Sequence, residues 1–335
     1  MIKHFEKKFE EMINLESFLL AWQEFIKGKR SRYDVQKFSL NFMDNIILLQ
    51  RDLMNHTYKH GGYQAFNISD PKPRNIHKAS VRDRLTHHAI YRELYPFFDK
   101  LFISDSYSCR LGKGAHKAIN RFQKFGRQVS KNNTITCWVL KCDIKKFFAS
   151  IDHKVLKSIL AKYIEDKDIL WLWGEVIDSF ETAGRPNIGL PLGNLTSQLL
   201  VNIYMNEFDQ FMKRQLKIKH YIRYADDFVI MSRDRIFLEE LIPKIRDYLA
   251  NELKLMLHPD KVFIQTLASG VDYLGWVNFP THRVLRTATK KRMLKALRNN
   301  PSSETLASYL GLLKYGNTKK LKNKIQDIVV FETVL

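Results

Sequence analysis

The chain has 335 residues, of which 45% are hydrophobic and 12% aromatic, and this composition predicts a folded protein with enough core for two or three subdomains. Lys and Arg outnumber Asp and Glu by 55 to 35, and the resulting net charge of +20 favours a polyanionic partner. No apolar run approaches a membrane span and the three cysteines lack metal or redox spacing, so we expect no membrane partner, no disulfide framework and a cytoplasmic location.

The first third of the chain is predicted to be mainly helical. Apolar residues recur at helical spacing across residues 15–53, and a second helical pattern over residues 81–98 is expected to stop near Pro96. Glycines and prolines between these patterns mark a turn-rich passage. Gly112 and Gly114 predict a loop before the next helix.

The rest of the chain mixes strands and helices. Residues 138–148 contain an apolar strand that ends at Asp143 and continues into basic and aromatic residues. The elements predicted to follow are a helical stretch over residues 153–180, a loop at 184–193, a long helix at 197–216, a helix at 236–253, strands at 262–277 and helix again beyond 289.

Two adjacent acids occur in residues 224–227, whose sequence is Tyr-Ala-Asp-Asp. The segments on either side are rich in β-branched and aromatic residues and predict paired strands, with Ala225 and Asp226 at the tip of a β-hairpin. If the strand that ends at Asp143 lies beside this hairpin, Asp143 should face Asp226, with Asp227 close by.

A group of carboxylates of this kind predicts a cation. Adjacent acids at an apolar hairpin tip repel each other and lose hydration, and oxygen ligands shared with substrate phosphates are the shell that Mg²⁺ prefers. Two Mg²⁺ ions about 4 Å apart, with Mn²⁺ as a substitute, could activate a 3′-hydroxyl and stabilise a leaving pyrophosphate. An Asp-Asp pair is also ordinary turn chemistry, so the prediction depends on the other motifs.

Several motifs occur in the order found in reverse transcriptases, and the chain resembles that family from about Asn14 to its end. The hairpin with the Asp143 strand upstream resembles the palm of the family. The segments that resemble its other blocks are residues 71–74 with 82–84 (fingers signature), 189–198 (between the two acidic motifs), 257–261 (lysine block) and 273–276 (primer grip).

The resemblance implies an α+β fold with a right-hand polymerase architecture of fingers, palm and helical thumb, the palm being an antiparallel sheet with helices. The expected parts are residues 1–70 (N-terminal helical extension and start of the fingers), 71–185 (fingers, with the first palm strand near 138–148), 186–280 (palm with hairpin and primer grip) and 281–335 (thumb). From the length of the sequence we expect no additional RNase H or integrase domain beside the polymerase.

The resemblance also implies roles for single residues. Asp143, Asp226 and Asp227 would be the catalytic acids and metal ligands, with Ile144 beside them at the metal site, and Lys261 would protonate the leaving pyrophosphate. The predicted contacts to the incoming dNTP are Lys72, Arg74, Phe148, Leu192, Gly193 and Gln198. Phe148 matches the bulky gate beneath the sugar that favours dNTPs. On the residues alone, it would be one core phenylalanine among 22.

Basic residues form two clusters. Ten Lys or Arg and one acid lie between Cys109 and Phe147, and twelve and one acid lie between Arg283 and Lys324. Such clusters can be solvated helix faces, but two of them flanking an acidic centre favour a cleft for template RNA and RNA/DNA duplex. The predicted nucleic-acid contacts are Lys113, Lys117, Tyr273, Leu274, Gly275, Trp276, Lys290, Lys291, Lys295 and Arg298.

One motif separates subfamilies. Leu192 stands where many retroviral and group II intron enzymes have Gln, and the block ends in Ser197-Gln198 where those enzymes have Ser-Pro. With residues 106–114 upstream, this pattern resembles the reverse transcriptases of diversity-generating retroelements. That resemblance implies cDNA synthesis from a template-repeat RNA with adenine-biased errors that diversify a target gene, together with a small basic accessory variability protein that forms an oligomer.

Two alternatives stay open. Retron-like, abortive-infection and other defence-associated reverse transcriptases share the catalytic blocks, and some also lack the Gln. A catalytically silent RNA-binding scaffold on the same fold belongs to another class. The intact Asp143, Asp226 and Asp227 argue against the scaffold, because it has no need of a costly acidic cluster.

Overall fold

The protein is described by a computed structural model that covers residues 3–69, 73–299 and 302–325. The helices with defined bounds are α1 (Phe9–Met12), α2 (Leu15–Phe25), α3 (Tyr33–Leu40), α4 (Phe42–Met54), α5 (Val81–Asp99), α6 (Ala115–Val129), α7 (His153–Ala161), α8 (Lys167–Asp178), α9 (Leu195–Gln210), α10 (Arg235–Asn251), α11 (Thr287–Asn299) and α12 (Ser303–Leu313). The strands are β1 (Gln64–Ile68), β2 (Arg74–Lys78), β3 (Trp138–Asp143), β4 (Tyr221–Tyr224), β5 (Asp227–Ser232), β6 (Phe263–Thr266), β7 (Val271–Tyr273), β8 (Trp276–Asn278) and β9 (Arg283–Leu285).

The chain forms two compact units, each assembled from separate stretches of sequence. Unit 1 draws its described residues from Met1–Ser104, Ile144–Lys217 and Ile245–Pro259, and unit 2 from Asp105–Asp143, Ile218–Lys244 and Asp260–Leu335. The division into fingers, palm and thumb stays a prediction. Within the described residues, no helix combines the length and apolar character needed to cross a bilayer.

Unit 1 contains the predicted N-terminal helices. Helix α2 begins at a side-chain cap, because Asn14 Oδ1 accepts a hydrogen bond from Ser17 N at 2.7 Å. Helix α5 runs from Val81 to Asp99, which confirms the helix predicted over residues 81–98, and Pro96 lies inside it instead of ending it. Proline removes one hydrogen bond to the carbonyl four residues earlier, and the helix has only three more residues to form, so the loss is confined to its last turn.

Unit 1 also contains an element that the sequence did not predict. Strands β1 and β2 pair antiparallel with Gln64 opposite Lys78 and Ile68 opposite Arg74. Every residue of β1 is exposed, so the alternation of buried and exposed side chains that identifies a strand is missing. Glycine and proline signals alone could indicate only a turn-rich passage.

Unit 2 is built around a four-stranded antiparallel sheet with the order β4-β5-β3-β6. Helix α6 packs on it, and Phe122, Val139 and Val229 are buried together in this core. Strands β7, β8 and β9 form a second, three-stranded sheet. Trp276 of β8 packs with buried residues of α11 and α12 in a separate cluster.

The loop between α8 and α9 depends on a glycine. Gly189 has a φ of +113°, and a Cβ placed there would lie 2.2 Å from Thr182 Oγ1 and 3.1 Å from Thr182 N. Its amide donates to the carbonyl of Ile151 at 2.8 Å, so the backbone cannot easily move away. Gly174 in α8 is the opposite case, because its φ is helical and a Cβ there would meet nothing within 4 Å.

We expect Gly189→Ala to lower the free energy of unfolding by about 2 kcal/mol or more, because it combines an unfavourable φ with a steric clash. Gly174→Ala should raise it by about 0.5–1 kcal/mol, because alanine has the lower entropic cost in a helix. Urea denaturation of both variants and the parent measures the two changes. A shift of the same sign in both variants would contradict the assignment of their backbone environments.

Candidate active site

The predicted hairpin is present in unit 2. Strands β4 and β5 pair with Tyr224 opposite Asp227, which confirms Ala225 and Asp226 as the tip. Ala225 has a φ of 55°, the left-handed conformation that two-residue hairpin turns require at their first central position. Arg223, whose side chain is fully buried, donates to the carbonyl of Ala225 at 3.1 Å and so holds the tip from below.

The register of β3 identifies the acid that lies across from Asp143. Strand β3 pairs antiparallel with β5, and Asp143 is opposite Asp227. The expectation that Asp143 faces Asp226 was therefore wrong. The turn holds Asp226 one step beyond the last residue pair, and directly opposite residues in an antiparallel pair have Cβ atoms about 5 Å apart. The acid pair of this structure is Asp143 and Asp227, with Asp226 next to it at the tip.

Each acid of the pair contacts a lysine. Lys261 Nζ lies 3.1 Å from Asp143 Oδ1, and Lys141 Nζ lies 3.3 Å from Asp227 Oδ2. The structure thus brings Lys261, which was predicted from its sequence block, to the acid pair. Lys141 was missed, although its position two residues before Asp143 on the same strand places both side chains on one face.

The electrostatics of Asp227 are unusual. Burial raises the pKa of Asp227 from its ordinary value of 3.8 to about 7; Lys141 opposes this rise, and the nearby Asp226 and Asp143 add to it. Its Oδ1 atom is buried and has no hydrogen-bond partner among the described residues. A buried acceptor without a donor is costly, so this oxygen is suited to a ligand that the protein itself does not supply.

The donor set suits a divalent cation in part. Among the residues described, no group of three or more His, Cys, Asp or Glu side chains stands ready to hold a metal ion. Mg²⁺ commonly uses only one or two protein carboxylates and completes its shell with water and substrate phosphates. Asp143 and Asp227 supply that number of carboxylates, and the unpartnered Oδ1 of Asp227 would gain a partner. Ile144 belongs to unit 1, and its role at a metal site stays a prediction.

The predicted primer grip forms a second hairpin in unit 2. Tyr273 is opposite Trp276, and the turn residues Leu274 and Gly275 have φ values of 50° and 85°. The side chains of Tyr273 and Trp276 are buried at 0% and 1% exposure. Both side chains were predicted to contact nucleic acid. This was wrong, because β7 and β8 point them into the core. The turn itself is the part that a nucleic acid could reach.

The predicted basic contacts of unit 2 lie at the surface. On α11 the buried positions are Met293 and Leu297, and the exposed ones are Lys290, Lys291, Lys295 and Arg298. Lys117, in the first turn of α6, donates to the carbonyl of Gly112. Lys113 lies over the ring of Tyr107, 5.1 Å from its centroid. Hence α11 presents the larger set of solvent-facing cations.

The predicted nucleotide contacts belong to unit 1. The backbone amide of His77 on β2 donates to the carbonyl of Leu192 at 3.0 Å, which joins β2 to the loop predicted at residues 184–193. Gly193 has a φ of +99°, and a Cβ there would lie 2.7 Å from Ile76 Cγ2. Phe148 is partly exposed, whereas its neighbour Phe147 is buried. The remaining predicted contacts are Arg74, which is exposed at the start of β2, and Lys72, which lies outside the described residues.

A cavity of about 390 Å³ in unit 1 contains the last of these residues, Gln198, and several cations that the sequence did not single out. The lysines and arginines in its wall are Lys29, Arg32, Lys78 and Arg84. Burial and the neighbouring Arg84 and Arg32 lower the pKa of Lys29. No local motif marks these positions, because they come from the turn between α2 and α3, from β2 and from α5, and lie together only in the fold.

The pKa of Asp227 predicts a pH-dependent stability in metal-free solution. A carboxyl group whose folded pKa lies above its unfolded value stabilises the fold below the unfolded pKa, and this contribution is lost as the pH rises through the folded pKa of about 7. Asp227→Asn cannot ionise, so it should become more stable than the parent as the pH rises from about 4 to 8, by about 4 kcal/mol at most.

Urea denaturation of both proteins across this pH range in a chelating buffer measures the difference. Added Mg²⁺ should narrow the difference at high pH, since a bound cation stabilises the ionised carboxylate of the parent alone. A stability difference that is independent of pH would contradict a raised pKa at Asp227.

Comparisons with known proteins identify a family for most of the chain. Residues 57–277, more than half of the chain, match the family described as "Reverse transcriptase (RNA-dependent DNA polymerase)". Protein YkfC of Escherichia coli K12 is 25% identical over 276 residues, 70% of this chain and 69% of that protein. The group II intron-encoded protein LtrA of Lactococcus lactis subsp. cremoris is 28% identical over 196 residues, 56% of this chain but only 28% of that protein.

The fold has a solved counterpart. A structure of apo telomerase from Candida tropicalis, truncated from its C-terminal domain, has a TM-score of 0.51 and 13% identity, covering 69% of this chain and 55% of that chain. This likeness, together with the antiparallel sheets and helices, confirms the predicted α+β polymerase fold class. The family match includes the strand that ends at Asp143 and the hairpin with Asp226 and Asp227. The chain belongs to the reverse transcriptase family.

Proposed function

We propose that this protein is an RNA-directed DNA polymerase that extends a primer with dNTPs on an RNA template. The observation that carries the proposal is the acid pair, in which Asp143 and Asp227 face each other across β3 and β5 with Asp226 at the adjoining tip. A partly buried acid pair of this kind is costly without function, and the family match supplies the reaction class.

In this function Asp143, Asp226 and Asp227 would hold two Mg²⁺ ions. When bound, the metal would lower the pKa of the primer 3′-hydroxyl and neutralise charge on the phosphates. The Nζ atom of Lys261 lies 3.1 Å from Asp143 Oδ1, and from there it would protonate the leaving pyrophosphate. Asp143 Oδ1 accepts a hydrogen bond from that ammonium and so orients it toward the acid pair.

The remaining roles follow the chemistry of the side chains. Phe148, partly exposed next to a buried Phe147, would crowd a 2′-hydroxyl and favour dNTPs over rNTPs. Arg74, with Lys72, would neutralise the triphosphate. The exposed cations of α11 would bind the phosphates of the RNA/DNA duplex without reading its sequence.

We expect Asp143→Asn and Asp226→Asn each to reduce primer extension on an RNA template with Mg²⁺ and dNTPs by about a thousandfold or more, because an amide cannot replace a carboxylate as a metal ligand. The measurement is single-nucleotide addition under saturating duplex. Asp44→Asn, which removes an exposed carboxylate from α4, is the matched control and should extend at the parent rate.

Two results would count against the proposal. Extension by either variant at the parent rate would remove the acids from catalysis. A parent protein that binds RNA but adds no nucleotide to any primed template with Mg²⁺ or Mn²⁺ would favour the catalytically silent scaffold instead.

A narrower proposal concerns the subfamily. We propose that the protein acts in a diversity-generating retroelement, where it copies a template-repeat RNA with errors concentrated at adenines and works with a small basic oligomeric accessory protein. The supporting observation is a pair of residues in the motif at 189–198. Leu192 stands where many group II intron enzymes have Gln, and Gln198 stands where they have Pro. The side chain of Leu192 is partly exposed, and an aliphatic group there offers no hydrogen bond to a nascent base pair.

Leu192→Gln should lower the error rate at template adenines several-fold while leaving total synthesis nearly unchanged, since one hydrogen bond contributes about 1 kcal/mol. Deep sequencing of cDNA made from one RNA template measures the spectrum. Leu40→Gln makes the same chemical change at a leucine of α3 that is 82% exposed, and it should leave the spectrum unaltered.

The outcomes separate the subfamily from the mechanism. A uniform, low error spectrum for the parent protein would reject the diversity-generating function and favour a retron-like or other defence-associated enzyme. An adenine-biased spectrum that Leu192→Gln leaves unchanged would retain the subfamily and remove Leu192 as its cause.

A further inference from the structure

Lys141 makes two contacts that join different sheets of unit 2. Its Nζ lies 3.3 Å from Asp227 Oδ2 and donates to the backbone carbonyl of Asp272 at 2.9 Å. Asp227 opens β5 of the four-stranded sheet, and Asp272 is the central residue of β7 in the three-stranded sheet. One ammonium group therefore bridges the acid pair and the strand that leads into the primer-grip turn.

The position of Lys141 on β3 explains how it reaches both partners. Side chains alternate along a strand, so Lys141 shares its face with Val139 on one side and Asp143 on the other. Val139 is fully buried in the core of unit 2, and the side chain of Lys141 is 16% exposed. Lys141 thus lies between the core and the acid pair. An ammonium group is stable there only if hydrogen-bond acceptors of the protein replace the water that hydrates it.

The partner on β7 is fixed independently of Lys141. Asp272 Oδ2 lies 2.8 Å from Arg286 Nε, and the backbone amide of Arg286 donates to the carbonyl of Gly275 in the primer-grip turn at 3.1 Å. Residue 272 is therefore held from its side chain, while its carbonyl receives Lys141. The hydrogen bond to this fixed carbonyl therefore restrains the position of the Lys141 ammonium, in addition to the ion pair with Asp227.

We infer that Lys141 is a positioning residue of the polymerase reaction, which sets the place of Asp227 relative to the primer-grip hairpin. The inference rests on the proposed function. Nucleotide addition needs the primer terminus and the acids in a fixed mutual geometry, and a displacement of about 1 Å can cost about 100-fold in rate. Lys141 is the side chain through which the acid and the grip strand share one hydrogen-bonding group.

A simpler role as counter-charge makes a different prediction. Charge compensation needs only a cation near Asp227, and arginine would supply it at least as well. The bridge also needs a compact donor that fits between a carboxylate and a carbonyl, which the planar guanidinium does not match. Lys141→Arg and Lys141→Met therefore separate charge from geometry.

The test is pre-steady-state single-nucleotide addition on a primed RNA template by the full chain. Lys141→Met should lower the rate constant of addition about 10- to 100-fold, with the KM for primer–template within about twofold of the parent because the exposed cations of α11 bind the duplex. Lys141→Arg should recover less than half of the lost rate. Lys154→Met, at an exposed lysine of α7, controls for the loss of one positive charge.

A structural role would give another pattern. If Lys141→Met lowered the burst amplitude and the thermal stability but left the rate constant of the active fraction unchanged, the positioning role would be overturned. A parent-like rate constant in Lys141→Met, or full recovery by Lys141→Arg, would also overturn it.

Hydrogen–deuterium exchange keeps this test apart from the proposed function. Amides of residues 270–278 should exchange faster in Lys141→Met than in the parent or in Lys154→Met, whether or not the protein polymerises. If the parent adds no nucleotide, the proposed function fails, and faster exchange still supports the bridge. Unchanged exchange would overturn the bridge even in an active polymerase.

Discussion

The pairing of β3 with β5 is the constraint on which the site depends. The register runs from Trp138 opposite Ser232 to Asp143 opposite Asp227. Leu140 and Cys142, which point to the other face of β3, are fully buried. A slip by one residue would move Lys141 and Asp143 onto that dry face, because side chains alternate with a period of two. Core packing on both faces of β3 therefore determines which acid lies opposite Asp143 in the sheet, and no attraction between the acids is needed.

The same pairing creates an electrostatic problem that lysines solve in part. Burial is the main reason that the pKa of Asp227 is raised, and the nearby Asp226 and Asp143 add to the rise. Lys261 and Lys141 each contact one acid, which stabilises the charged form but leaves Asp227 Oδ1 without a partner among the described residues. Within the part of the chain that the structure describes, one carboxylate oxygen of the acid pair therefore stays uncompensated.

Local patterns in the sequence were sufficient for the hairpin and for the strand that ends at Asp143. Both are short apolar runs bounded by acids, and the two-residue tip leaves little freedom in how the hairpin closes. The partner of Asp143 was assigned to the wrong acid because register depends on pairing between distant segments. Burial of Tyr273 and Trp276 and the contacts of Lys141 were missed for the same reason. They follow from which sheet each strand joins, and motif spacing carries no information about that.

The tip of the hairpin formed by β4 and β5 shows how fold and site are coupled. Its first turn residue is Ala225 at a φ of 55°, where a glycine would avoid a cost of about 1 kcal/mol. Strained residues persist where their surroundings determine them, and here Arg223 donates to the carbonyl of Ala225 and to Ser106 Oγ, each at 3.1 Å. A buried guanidinium with backbone and hydroxyl acceptors cannot shift without losing them. Asp226 is therefore presented by a turn that is held in one conformation from inside unit 2, and an alanine suffices where an unsupported turn would need glycine.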